Sequence, residues 1–194
     1  MSAAADSFQE VVPGLRHWAA YEPKVKTDLC CAACLTPDGW VLIDPIPLAE
    51  EAFAGEKAAA IFLTNGNHAR HADAWRKKLS VPIWAPAEAE DLEVVPDHAF
   101  AGEPVHGILP ISIPGATRGE TAFLTPQGWL LMGDAVINVG SDGPELLPKK
   151  YCWNEAEARA SLKNLLDHHE FTLVTFAHGT PLRTRAKERL RALL

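Results

Sequence analysis

Two histidines three residues apart, His68 and His71, flank Arg70 in the stretch IFLTNGNHARHADAW, residues 61–75, where an apolar run passes into helix-like sequence. Imidazole nitrogens and carboxylate oxygens hold a divalent ion when they converge at about 2.0–2.2 Å, and a catalytic ion keeps one position open for water. The residues that could do this are His68, His71, Asp134 and His178, with Asp44 and Asp73 as outer candidates. If both His68 and His71 fall in a first helical turn, their spacing lets them share a face. Arg70 argues the other way, because a fixed positive charge raises the cost of adding a cation. It suits a bound carboxylate or phosphate, or a bridge to Asp134. A third reading needs no ligand: Asn65 and Asn67 cap the helix, Arg70 pairs with an acidic side chain, and the histidines bond locally.

These groups need strand ends to bring them together. "AAAIFLT" reads as a buried strand delivering Asn65 to His71, "WLLMGD" ends on Asp134, and "LVTFAH" ends on His178. The chain also echoes itself. CCAACLTPDGWVLIDP and GETAFLTPQGWLLMGD each place Thr-Pro-x-Gly-Trp between two apolar runs, the second ending at an aspartate. Pro-Asp-Gly and Pro-Gln-Gly are turn formers, so β-hairpins are expected over 29–44 and 120–133. The echo suggests a pseudo-duplicated architecture. A helix is expected from "HADAWRKKL", a sheet-edge segment from "VHGILPISI", and loop with one helical turn from "INVGSDGPELLPKKY". Asn154 caps a further expected helix, with Ala158, Leu162, Leu165 and Leu166 on one stripe, and a basic helix closes the chain. Reactive groups gather where strands end, and the turn IPGATRGE, with Ala116 and Thr117, is one more such place. His17, His98 and His106 read as structural or surface histidines.

The 194 residues, 47% hydrophobic, suffice for one compact domain over 1–194 with a substantial core. A net charge of -7 and the lack of a basic stripe exclude a nucleic-acid binder. No run of 18 apolar residues predicts a membrane span, and the first ten residues do not resemble a signal peptide. Cys30, Cys31 and Cys34 lie in one strand-like run, Cys30 and Cys34 on one face and Cys31 on the other, and read as buried thiols. A cytoplasmic location is the expectation, and six tryptophans leave room for a homodimer interface.

The order of these pieces resembles the metallo-β-lactamase superfamily, in its general hydrolase-like branch, from about Val11 to His178. "VLIDP" resembles the family's early hairpin, "IFLTN" the strand before its His-x-His-x-Asp-His motif, "IPGATRGE" its pGHTpG turn, "LLMGD" its aspartate, and "FAHG" its closing histidine-glycine. The resemblance implies an α/β four-layer αββα sandwich, two mixed β-sheets flanked by helices. It also implies metal-activated hydrolysis of an ester, amide, thioester or phosphoester. The ligands match poorly. Without a gap, Asn65, Asn67, Ala69 and Arg70 stand at the four motif positions and Ala116 replaces the turn histidine, leaving Asp134 and His178. With a one-residue bulge, His68 and His71 match the second and fourth positions. The expectation is a degenerate site without a cofactor, a single zinc or iron ion being the alternative. Lacking a metal, His68, His71 or His178 would act as general base and Arg70 would stabilise negative charge. A non-catalytic module for a small anion or metabolite is the competing reading, and the small-molecule ligand is not named by the sequence.

Overall fold

The computed structural model describes residues 4–49 and 52–194. Its first sheet has seven strands in sequential order: β1 (Gln9–Val12), β2 (Leu15–Glu22), β3 (Thr27–Thr36), β4 (Gly39–Ile43), β5 (Ala58–Phe62), β6 (Ile83–Pro86) and β7 (His98–Phe100). The first four pair antiparallel, whereas β4 to β7 run parallel. The second sheet is formed by β8 (Leu109–Ser112), β9 (Thr121–Leu124), β10 (Trp129–Leu131) and, beyond an intervening ribbon, β13 (Leu173–Thr175), in the order β13-β10-β9-β8. That ribbon pairs β11 (Val136–Ile137) with β12 (Glu145–Leu146). It lies where the sequence suggested only a loop, because two-residue strands are too short to leave a period. The helical turn expected in that segment is a 3₁₀ turn, Lys149–Tyr151.

Both expected hairpins form, β3–β4 and β9–β10, around the two Thr-Pro-x-Gly turns. Each sheet buries its inner face on the other. Val41, Ile43, Phe62, Phe100, Phe123 and Leu131 meet between them, with Phe62 5.0 Å from the Phe100 ring and 5.2 Å from that of Phe123. Truncating such a ring removes about 3–5 kcal/mol. The outer faces are covered by helices. On one side α1 (Ala72–Leu79) packs Ala72 and Trp75 with Trp18, Phe53, Ile61 and Ile83. On the other, α2 (Glu155–His168) and α3 (Ala186–Arg191) set Leu162, Leu165, Leu166 and Leu190 against Leu130, Met132 and Val174. The result is a four-layer αββα sandwich of two mixed sheets flanked by helices. Cys30, Cys31 and Cys34 are buried free thiols, Cys31 facing the α1 side and Cys34 the space between the sheets. Among the described residues no helix is long and apolar enough to cross a membrane.

Candidate metal centre

Four polar groups leave the sandwich at one end, just past β4 (Asp44), β5 (Thr64 to His68), β10 (Asp134) and β13 (His178). The carboxyl ends of strands leave a crevice where such groups converge. After β5 the chain makes a 3₁₀ turn, Gly66–His68, capped by Asn65, whose side-chain oxygen accepts from the Asn67 N–H at 3.0 Å. That turn swings His68 inward and leaves it 4% exposed. His68 Nδ1 lies 2.8 Å from Asp44 Oδ2, and Asp44 also accepts from the Thr64 N–H at 2.8 Å and the Thr64 hydroxyl at 2.6 Å. With the Thr64 proton spent on Asp44, the proton between His68 and the carboxylate belongs to Nδ1. His178 Nδ1 faces the Asp28 carbonyl oxygen at 2.8 Å, and a carbonyl only accepts, so this nitrogen too carries its proton.

Both imidazoles therefore turn Nε2 toward Asp134, from His68 to Oδ2 at 3.3 Å and from His178 to Oδ1 at 3.4 Å. Asp134 Oδ1 is buried and has no hydrogen bond among the described residues. One ligand atom from each of His68, Asp134 and His178 lies within 4.8 Å of the others. Atoms about 2.0–2.2 Å from a tetrahedral ion stand roughly 3.3–3.6 Å apart, so this donor set fits one ion. Imidazoles oriented through Nδ1 by a carboxylate and a carbonyl are the usual outer support of a metal ligand. Among the described residues a second ion is not provided for. The Asn65 amide donates to Glu120 Oε2 at 2.9 Å, Asn67 is exposed, and Ala69 and Ala116 have no donor atoms.

Arg70 is brought to the same place with its backbone in the left-handed region, φ 41°. Nη1 donates to the Cys30 carbonyl at 2.6 Å and the Asp44 carbonyl at 3.2 Å, and Nη2 to the Ala177 carbonyl at 3.4 Å. Nη2 also stands 3.4 Å from His68 Nε2. The guanidinium is thus largely occupied by main-chain oxygens, which leaves it few N–H groups for a ligand. His71 and Asp73 do not reach the cluster. His71 precedes α1 without a side-chain cap bond, and Asp73 pairs on the surface with Arg76 and Lys77. Thr117 reaches the site indirectly, its hydroxyl donating to Glu120 Oε2 at 3.1 Å.

Glu120 escaped the sequence reading. Fully buried, it accepts the Asp134 N–H at 2.6 Å as well as the Asn65 amide, and so fixes the aspartate from behind. Its one sequence signal was its place at the end of IPGATRGE, where an acidic residue ordinarily faces solvent. Burial and the charge of Asp134 push its carboxyl up to about 8. Burial opposes the charged form of His68, but Asp134 and Asp44 outweigh it and lift this imidazole to about 9. Burial likewise opposes the Asp134 carboxylate, yet His68 and His178 hold it well below the usual range.

A profile of the metallo-β-lactamase superfamily matches residues 9–194. The chain belongs to that superfamily, with an incomplete cluster of three ligand-type residues in place of its full metal site. Its fold superposes on the metallo-β-lactamase from Pontibacter korlensis with a TM-score of 0.77 at 15% identity, covering 96% of this chain and 97% of that one. The metallo-β-lactamase FIM-1 from Pseudomonas aeruginosa, in its mono-zinc form, gives 0.77 and 15% over 98% and 94%. A metallo-β-lactamase from Erythrobacter litoralis gives 0.74 and 15% over 100% and 93%. No curated protein matches the chain. At these identities the structural likeness concerns the fold. The site is that of a degenerate, hydrolase-like member.

Proposed function

We propose that the chain holds one zinc or iron ion on His68, Asp134 and His178 and hydrolyses a small ester, thioester or phosphoester. The observation that carries this reading is the convergence of two Nε2 atoms on the Asp134 carboxylate, His68 on Oδ2 and His178 on Oδ1, the latter without a hydrogen bond among the described residues. Two imidazoles and one carboxylate suit zinc or iron and leave a position for water. A bound ion would supply a water of lowered pKa and a Lewis acid for the scissile carbonyl or phosphoryl group. The chain's own residues orient this chemistry. Asp44 and the Asp28 carbonyl fix the imidazole tautomers, and Glu120 fixes Asp134. Arg70, anchored on carbonyls, sets a positive potential at the mouth that favours developing negative charge.

Proximity of the Arg70 Nη2 to His68 Nε2 favours a second reading, a non-catalytic module that holds a small anion or metabolite beside a protonated His68. Metal analysis separates the two. Protein purified without chelator and titrated with zinc is expected to bind close to one equivalent, and His178→Ala to bind far less. Stoichiometry below about 0.1 equivalent in the parent protein would remove the hydrolase reading and leave the binding module. Unchanged stoichiometry in His178→Ala would move the ion elsewhere.

A further inference from the structure

Next to the centre, on the side of Asn67 and Thr117, lies a cleft of about 280 Å³ whose walls include Asn67, Thr117, Arg118, Lys150, Tyr151 and Trp153. This is close to the lower end of the roughly 300–1,000 Å³ of small-molecule pockets. Its outer wall is held in place. The Trp153 N–H donates to the Ala116 carbonyl at 3.0 Å and the Asn154 N–H to that of Gly115 at 2.9 Å, tying the wall to the turn that carries Thr117. Tyr151 and Trp153 are nevertheless 62% and 50% exposed. Two large rings on a fixed wall offer a flat ligand a stacking surface at small entropic cost.

Charge is placed unevenly around these rings. Arg118 lies over the Trp153 ring at 5.1 Å but is neutralised by Glu90 at 2.7 Å. Lys150 lies over the Tyr151 ring at 4.6 Å and has no carboxylate partner among the described residues. Asp91 lines the cleft as well, so a negative ligand group is accepted only at the Lys150–Tyr151 end. The floor leads to the centre: Asn67 adjoins His68, and Thr117 donates to the Glu120 carboxylate that holds the Asp134 N–H.

We infer that this cleft is the subsite for a planar, negatively charged portion of the ligand, of the aromatic carboxylate class, with its ring on Trp153 and Tyr151 and its carboxylate at Lys150. This deepens the hydrolase reading, on which it rests for the fate of the remaining part of the ligand. The test uses benzoate as probe and the Trp153 indole N–H resonance, identified through Trp153→Phe, as readout. Benzoate is expected to shift that resonance with a Kd of about 1–10 mM, the range of a single small fragment. Benzyl alcohol, which lacks the charge, and acetate, which lacks the ring, should each bind at least about tenfold more weakly. Lys150→Ala should weaken benzoate by about tenfold and Lys150→Arg should restore it. His178→Ala, which removes a proposed metal ligand, should leave benzoate binding unchanged, so that loss of the metal reading and loss of the subsite are told apart. No shift with benzoate, or equal binding of benzyl alcohol, would overturn the proposal. Loss of benzoate binding in His178→Ala would also overturn it, by making the centre the anion's anchor.

Discussion

His68 is in contact with three charged neighbours: it touches Asp44 through Nδ1, Asp134 through Nε2, and lies beside Arg70. The Arg70 N–H needs a lone pair on Nε2, whereas the bond to Asp134 needs a proton there, so these two contacts exclude one another. With its pKa raised from 6.5 to about 9, the metal-free His68 carries the proton at neutral pH. The folded state then binds that proton more tightly than the unfolded chain does. Its stabilisation is complete below pH 6.5 and is lost as the pH rises through about 9. Glu120, raised from 4.5 to about 8, acts in the same sense over its own window. His17, lowered from 6.5 to about 4 by burial, acts oppositely, and its effect fades as the pH rises above 6.5. The thermal midpoint of chelator-treated protein should therefore fall between pH 6.5 and 8, below the range where the buried thiols titrate. Glu120→Gln should reduce the slope by about half, two protons becoming one. Saturating zinc should reverse the trend, because a metal ligand must be deprotonated. A flat midpoint over this range in the parent protein would show that His68 is neutral when metal-free.

At the scale of elements, the start of α2 decides whether the cleft wall and the turn at Thr117 stay in register. Asn154 caps the helix, its Oδ1 accepting from the Glu157 N–H at 3.2 Å, while Glu155 and Glu157 complement the dipole. The first turn of the helix lies directly on Gly115, where φ is 134° and an added Cβ would come within 2.2 Å of the Ala158 nitrogen. Asn154→Ala should cost about 1 kcal/mol in urea unfolding, the ordinary loss of a side-chain cap. Gly115→Ala should cost about 2–5 kcal/mol, strain and overpacking together, and should shift Trp153 emission as the wall is displaced. Equal stability of the two variants would mean that the helix start yields without resistance. This helix was legible in the sequence, through its cap and its leucine stripe, and so were both hairpins, through their proline-glycine turns. The path of the chain after β5 was not. A hydrophobic period carries no information about a 3₁₀ turn that rotates His68 inward, nor about an arginine held at positive φ, and those two features decide which side chains enter the site. Glu120 stayed hidden for a related reason: besides Thr117 in its own turn, two donors from other segments, the Asn65 amide and the Asp134 N–H, make its burial tolerable, and only the folded chain assembles them.

Across the whole molecule, the two sheets meet at the site as well as in the core. The Cys30 N–H donates to the Ala177 carbonyl at 2.8 Å and the Thr121 N–H to that of Thr64 at 2.8 Å, each bond joining one sheet to the other. Arg70 adds a clasp, since its carbonyl partners follow or lie on β3 and β4 in the first sheet and β13 in the second. The planar fork suits this task, and a lysine would reach fewer acceptors. The same charge sits 3.4 Å from His68 Nε2 and so opposes any cation at the centre. Stability of the sandwich mouth and metal affinity are therefore set against each other in one side chain. Arg70→Gln should lower the thermal midpoint by about 10 °C or more, three charge-assisted bonds worth about 1.5–3 kcal/mol each being lost at roughly 2–4 °C per kcal/mol. It should also tighten zinc binding by at least about tenfold, by removing a like charge from the ion's surroundings. Arg70→Lys should show the stability loss without the gain in affinity. Unchanged zinc affinity in Arg70→Gln would mean that the guanidinium is screened by its carbonyls, and the trade-off would then not exist.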